Sequence, residues 1–156
     1  MNIFILDEDL KENAKYYCDQ HLVKMILETA QILCTVVTLN GGEAPYKLTH
    51  PNHPCTRWVM RNGHHWDFLI LLVTALNDEY KKRFNKVKNH KSYDVICNLV
   101  KPKYTINYPI KEYVSVTKKV ENLPLRETVM AYRKFYKEKS LKFNMRWTGR
   151  KEPYWL

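Results

Sequence analysis

Polar and apolar positions divide this chain into stretches of different period. Met1 to Leu6 is mostly apolar and too short for a helix, so an extended segment is expected there. Asp7, Glu8 and Asp9 follow, and Asp9 with Glu12 has the spacing of a capping box. From that box one helix is predicted to run to about Asn40, where Gly41-Gly42 stops it. Between Tyr16 and Leu39 it is mostly apolar. At ~100° per residue, Tyr17, His21, Lys24, Glu28, Gln31 and Thr35 fall within roughly 80° of one another. Leu22, Val23, Ile26, Leu27, Ala30, Leu33 and Val37 cover most of the remaining circumference. A surface helix shows the reverse, an apolar stripe on a polar cylinder. A helix apolar on most faces is buried, and its polar groups then face a cleft, a ligand or each other. His21, Lys24 and Glu28 are therefore read as groups presented into a pocket, with Tyr17 beside them. An ordinary solvated i, i+4 pair of Lys24 and Glu28 is the alternative.

Further along, Glu43 to Pro54 reads as a proline-stiffened loop, followed by a short helix from Cys55 to Asn62 closed by Gly63. Phe68, Leu69, Leu72, Val73, Leu76 and Tyr80 recur at helical spacing, predicting a helix from His64 to Phe84. A basic loop then leads to Lys91, and Ser92 can cap a short helix through Leu99. Lys101 to Leu123 carries prolines and β-branched residues and reads as irregular, with a short extended piece. Pro124 suits the first turn of a last helix, Leu125 to about Lys142, and the Trp-rich tail Asn144 to Leu156 is expected to pack back over the body. The pattern predicts an all-α fold: one compact helical bundle over residues 1–156, with a long, mostly buried first helix and irregular loops.

Composition sharpens this picture. A 156-residue chain with 45% hydrophobic residues and only 4 glycines can bury a real core and is not a disordered sequence. No run of 18 apolar residues suggests a membrane span, and the start lacks the pattern of a secretion signal, so an intracellular protein is expected. Cys18, Cys34, Cys55 and Cys97 show no CxxC spacing and are read as free thiols. The net charge of +10 suits a nucleic acid, an acidic membrane surface or an acidic protein. It is uneven. Lys81, Lys82, Arg83, Lys86, Lys88 and Lys91, with His90 among them, fall in a stretch without any acid. Arg133 to Lys151 is also basic, interleaved with Phe135, Tyr136, Phe143 and Trp147, a mixture suited to a phosphate backbone and stacked bases.

Several constellations could carry chemistry. Lys24 beside Glu28 pairs an amine with a carboxylate. An amine attacking a sugar C1′ forms an imine, and a carboxylate can stabilise the cation that develops and shuttle protons. His21 could act as a general acid, contact phosphate or simply fill the core. His50, Asn52 and His53, with Cys55 after them, invite a metal reading, but the spacing matches no zinc pattern and a rigid loop at a pocket mouth is preferred. No metal and no cofactor is expected. Arg57, Arg61, His64, Lys86, Lys88, His90, Lys91, Arg133, Arg146 and Arg150 are the candidate nucleic-acid contacts.

The layout resembles the endonuclease V type pyrimidine-dimer DNA glycosylases of phages and viruses. The likeness runs from the charged stripe Tyr17 to Glu28, through His64-His65-Trp66 and the helix ending Lys81-Lys82-Arg83-Phe84, to Tyr132–Tyr136 and Arg146-Trp147. Cys18 to Met25 and Asn52 to Cys55 resemble a group of short viral and microbial proteins associated with that superfamily. The resemblance implies a compact helical, metal-free enzyme of the host cytoplasm or nucleus, virus-encoded, whose partner is duplex DNA with a damaged or modified base. It also implies an amino-terminal nucleophile. Those glycosylases expose it by removing Met1 before a small residue; here residue 2 is Asn, which leaves the Met1 amine itself. The family's glutamate has an arginine just before it and another three residues after. Leu27 and Gln31 stand there around Glu28, and Cys18 and Leu22 around Asp19.

Together these readings favour a lesion or modified-base DNA glycosylase acting on pyrimidines, with an AP-lyase step open as an extension. Glu28 or Asp19 would stabilise the sugar cation, and Lys24 or Met1 would attack. A non-catalytic DNA-binding or anti-defence protein, and an enzyme that modifies DNA bases, are the alternatives. The oligomeric state is not legible.

Overall fold

The computed structural model describes residues 1–156. It is mostly helical, with α1 (Leu10–Tyr16), α2 (Asp19–Leu39), α3 (Pro54–Arg61), α4 (Gly63–Arg83), α5 (Lys91–Cys97) and α6 (Leu125–Ser140). The expected all-α class is corrected by a small antiparallel sheet, β1 (Tyr113–Val116) with β2 (Val120–Leu123), paired from Tyr113↔Leu123 to Val116↔Val120. β-branched residues in the stretch read as irregular form this hairpin.

The single first helix is also corrected: the chain breaks at Tyr17 and Cys18, both extended, into α1 and α2. Asp9 does cap α1, accepting from Lys11 and Glu12 N–H, but Glu12 pairs with Lys15 instead of completing the box. The break comes from distant donors. The Arg83 guanidinium donates to the carbonyls of Tyr17 at 2.6 Å, Lys15 at 3.0 Å and Ala14 at 3.4 Å, and the Trp147 indole donates to Tyr16 at 3.0 Å. These are the carbonyls a helix end leaves orphaned. Cys18 N–H meets the Tyr136 hydroxyl and Asp19 N–H the Arg146 carbonyl, so the carboxy-terminal tail packs back onto the joint.

The far end of α2 stops as expected. Gly41 sits at φ 80°, Gly42 N–H bonds Val37 C=O and Gly41 N–H bonds Thr38 C=O, which is a Schellman close. Gly63 does not close α3, as expected from sequence; it opens α4 behind the cap Asn62. Its N–H bonds Ile106 C=O, and a Cβ there would lie 2.0 Å from Asn107 Oδ1, so the close approach of a loop explains the glycine. The α5 cap is His90, not Ser92.

One hydrophobic cluster of 28 buried residues runs from Ile3 to Tyr136 and joins both ends of the chain. α2 is long and apolar enough to cross a membrane, yet most of it is covered by the rest of the fold. Beside this core lies a buried ionic cluster. Glu79 accepts from Arg83 Nε at 3.0 Å and from Arg150 Nε at 2.9 Å and Nη2 at 2.7 Å, and Arg83 also reaches Asp19 at 3.3 Å. Burial pushes the Glu79 carboxyl up, but Arg150 and Arg83 outweigh it and hold it below its ordinary value.

Removing one partner from such a cluster strands a buried charge. Arg83→Met should therefore cost ~3–5 kcal/mol and lower the melting temperature by roughly 10 °C or more. A variant that melts within a degree or two of the parent would show that the guanidinium is dispensable.

Candidate functional site

The site begins with the first six residues. Ile3, Phe4, Ile5 and Leu6 are buried and lie outside any helix or sheet, so side chains must satisfy their backbone. Asn2 Oδ1 accepts Ile3 N–H at 2.8 Å, the Tyr17 hydroxyl donates to Phe4 C=O at 2.5 Å, Asn13 Oδ1 accepts Leu6 N–H at 2.6 Å, and Arg133 Nε donates to Leu6 C=O at 2.7 Å. Asn2 is bolted further in. Its amide donates to Val116 C=O on β1 at 2.8 Å, and its Oδ1 accepts from the Tyr132 hydroxyl of α6 at 2.6 Å.

This threading brings the start of the chain to α2. The Met1 amino nitrogen lies 3.8 Å from Glu28 Oε2, and Asn2 N–H donates to the same oxygen at 3.1 Å. Glu28 Oε1 faces Lys24 Nζ at 3.5 Å. Glu28 is buried, whereas the Lys24 side chain is largely exposed. One carboxylate thus has an amine on each oxygen, one enclosed and one reaching outward. His53 is close by: burial holds its imidazole below the ordinary value, and the positive amino terminus adds to that. Burial pushes the Cys55 thiol up to about 12, so it is a neutral group.

The structure divides the other sequence candidates. Tyr17 is not a pocket group; it is fully buried, its hydroxyl holding Phe4. His21 is a core residue. Its Nδ1 is 2.8 Å from the Tyr136 hydroxyl, its ring stacks on Phe143 at 5.5 Å, and burial, aided by Lys139 and Lys24, lowers its pKa to about 4. At neutral pH its ring is uncharged. Asp19 faces away from Glu28's partners, accepting from Thr148 N–H and hydroxyl and from Arg83. His50 and Asn52 lie on the exposed loop before α3, His50 in a left-handed conformation at φ 47°; His53 Nδ1 caps α3 by accepting Cys55 N–H. Val23 and Leu27, expected to be covered, are partly exposed.

The candidate nucleic-acid contacts separate in the same way. Arg57, Arg61, Lys86, Lys88, Lys91 and Arg146 are exposed. Arg133 is committed inside, bonded to Leu6 C=O and to Asp7 at 2.6 Å and packed among Tyr16, Tyr154 and Trp155. Arg150 is committed to Glu79. His90 caps α5 and is held below its ordinary value by burial, and His64 bonds Tyr108 C=O. Arg61 and Lys111 flank an open cleft of about 610 Å³ whose inner wall carries the stacked rings of Trp58 and His65, 3.8 Å apart. His65 Nδ1 lies 2.6 Å from Trp58 C=O, which can only accept, so Nδ1 carries the hydrogen and Nε2 is the acceptor. Sequence reasoning missed the roles of Asn2, Tyr132, Arg83 and Glu79; the i, i+4 spacing of Glu79 and Arg83 was a local signal, whereas Asn2 and Tyr132 act on residues far away in the chain.

His21 sets a pH dependence. Its native value of about 4 lies below the ordinary 6.5, so the unfolded chain binds more protons in between. The stability its neutral ring contributes is complete above pH 6.5 and lost as pH falls toward 4. In urea unfolding, the advantage of the parent over His21→Gln should be largest at neutral pH and shrink steadily on acidification. A pH-independent difference would contradict this assignment.

A family model described as pyrimidine dimer DNA glycosylase matches residues 1–92. No curated protein and no solved structure matches the chain.

Proposed function

This chain belongs to the pyrimidine dimer DNA glycosylase family, and from that premise we propose that it excises a damaged or modified pyrimidine from duplex DNA through an amine–carboxylate pair of Met1 and Glu28. DNA glycosylase chemistry in DNA repair is the family's activity. The finer reading rests on one observation: an amino group held 3.8 Å from a buried carboxylate at the head of a segment buried in the core.

In this reading the neutral amine attacks C1′ of the deoxyribose. The new C1′–N bond forms as the glycosidic bond breaks, and its electron pair leaves with the base. Glu28 accepts the proton the amine gives up and stabilises the positive charge on the sugar. The C1′–O4′ bond then breaks as Glu28 returns its proton to O4′, which opens the sugar ring and leaves a protonated imine at C1′; loss of a C2′ proton and of the 3′ phosphate by β-elimination would be the lyase step. Lys24, on the other oxygen of Glu28, is the second candidate nucleophile. Asp19 takes no part, since its oxygens serve Thr148 and Arg83. The exposed cations Lys24, Arg57, Arg61, Lys86, Lys88, Lys91 and Arg146 supply the phosphate contacts, in place of the arginines that the resemblance puts where Leu27 and Gln31 stand. Arg133 and Arg150 are withdrawn from that role by Asp7 and Glu79.

The test uses duplexes carrying an abasic site, a thymine dimer or a modified pyrimidine, incubated with borohydride. A trapped covalent adduct is expected, with peptide mapping placing it on Met1. Glu28→Gln should slow base release at least ~100-fold, and residues added before Met1 should abolish trapping. An adduct on Lys24 would replace the nucleophile, and failure to trap on all three duplexes would remove the amine mechanism.

A further inference from the structure

The segment joining α4 to α5 is fixed at both ends and free in the middle. Asn85 takes a left-handed φ of 50° and Lys86 N–H bonds Lys81 C=O at 2.8 Å, a Schellman close with asparagine in glycine's usual place. At the other end Asn77, buried on α4, grips the chain twice. Its Oδ1 accepts His90 N–H at 3.0 Å and its Nδ2 donates to Asn89 Oδ1 at 2.9 Å. Asn89 then donates to Asp94. The tip between these anchors is Lys86-Val87-Lys88, with Val87 97% exposed between two exposed lysines.

A single exposed valine is ordinary on a protein surface. Three features set this one apart. Its loop cannot retreat, because both ends are pinned. Lysines stand on both sides, in a stretch from Lys81 to Lys91 that holds no acid. The loop also borders the exposed face of α2, since an open cleft of about 630 Å³ is lined by Val23, Tyr80, Phe84, Lys86 and His90, and Val23 and Lys24 are both exposed. Val23 is ~7.5 Å along α2 from Glu28 and ~140° around it, so the loop and the carboxylate flank the exposed face of the helix from its two edges.

We propose that Val87 is a wedge that enters between adjacent base pairs of duplex DNA and bends it, while Lys86 and Lys88 hold the phosphates on either side. The proposal rests on the DNA reading above. A β-branched side chain suits the task, because its χ1 is already restricted and little freedom is lost on insertion. Partly unstacking a base step is offset by the protein surface that the bent duplex then covers. The division of labour is chemical: the valine's gain is apolar and independent of salt, and the lysines' gain is counterion release and strongly salt-dependent.

The experiment measures binding against salt concentration and bending by energy transfer on an end-labelled duplex, for the parent, Val87→Ala, Val87→Leu and Lys86→Ala/Lys88→Ala. Val87→Ala should bind about tenfold more weakly, bend the duplex less, keep the salt slope and melt like the parent. Val87→Leu should retain binding and bending, and the double lysine variant should lower the salt slope by ~1.8. Val87→Ala that bends the duplex as the parent does, whether or not binding weakens, overturns the wedge and leaves the DNA reading standing. A shifted melting temperature for Val87→Ala overturns it too, by revealing a structural role. A parent protein with no salt-dependent duplex binding removes the DNA reading and the wedge together.

Discussion

Burying a segment that has neither a helix's own hydrogen bonds nor a neighbouring strand is the constraint on which the rest of this structure depends. Residues Ile3 to Leu6 supply apolar side chains to the core, and the same burial removes water from their backbone groups. Side chains from α1, α6 and the first residues themselves have to replace a sheet partner. Asn13, Tyr17, Arg133 and Asn2 do so, with the Tyr132 hydroxyl holding the Asn2 side chain, and each is consequently fixed in place. The β-hairpin is tied into the same network, because Val116 accepts from Asn2 while its N–H donates to the Tyr132 hydroxyl. The position of the Met1 amine beside Glu28 is therefore a consequence of how the core is filled. The amine needs no anchor of its own beyond Glu28, because the chain behind it has no slack.

A second constraint acts through charge. The basic excess divides into cations that build the fold and cations that face outward. Arg83 and Arg150 flank Glu79, and Arg133 pairs with Asp7 and stacks among aromatic rings. The planar guanidinium suits this work, since it can satisfy several carbonyls and a carboxylate at once with little hydration to lose. The outward cations of the α4–α5 loop are lysines, strongly hydrated point charges on flexible stems. Arg83 is the hinge between the two constraints: it fixes the α1–α2 break, and so the direction in which α2 carries Lys24 and Glu28.

The sequence made most of the helical framework legible, since α2, α4 and α6 each have a continuous apolar period. It did not make the α1–α2 break legible. The polar and apolar periods continue through Tyr17, and the donors that stop the helix come from Arg83 and Trp147. The hairpin was only half legible, because four-residue strands carry too few alternations to outweigh the prolines around them. At the candidate site, the spacing of Lys24 and Glu28 was visible on the helix wheel, but wheel position could not separate His21 and Tyr17, which point into the core. Arg133 and Arg150 read as free cations because Asp7 and Glu79 lie far from them in the chain. A pattern that counts local neighbours has no means of pairing them.

Leu27 and Gln31 then acquire a physical meaning. Positions one before and three after Glu28 lie on the open side of α2, where a partly exposed leucine and a half-buried glutamine present no charge. A reaction at Glu28 that needs phosphates held nearby must draw on cations from other elements. Lys24 shares the carboxylate, and Lys86 of the α4–α5 loop lines the same cleft as Val23. Moving the positive charge from the helix to a pinned loop changes what the charge does. A helix-borne arginine next to the carboxylate would compete with the amine for it and lower its basicity. Lysines at a distance leave Glu28 to the amines on its two oxygens and still raise the local concentration of a polyanion. Exposed lysines on a loop apart from the carboxylate, with Lys24 the one lysine at Glu28 itself, are the feature by which this chain departs most from the arginine pattern that Leu27 and Gln31 interrupt on α2.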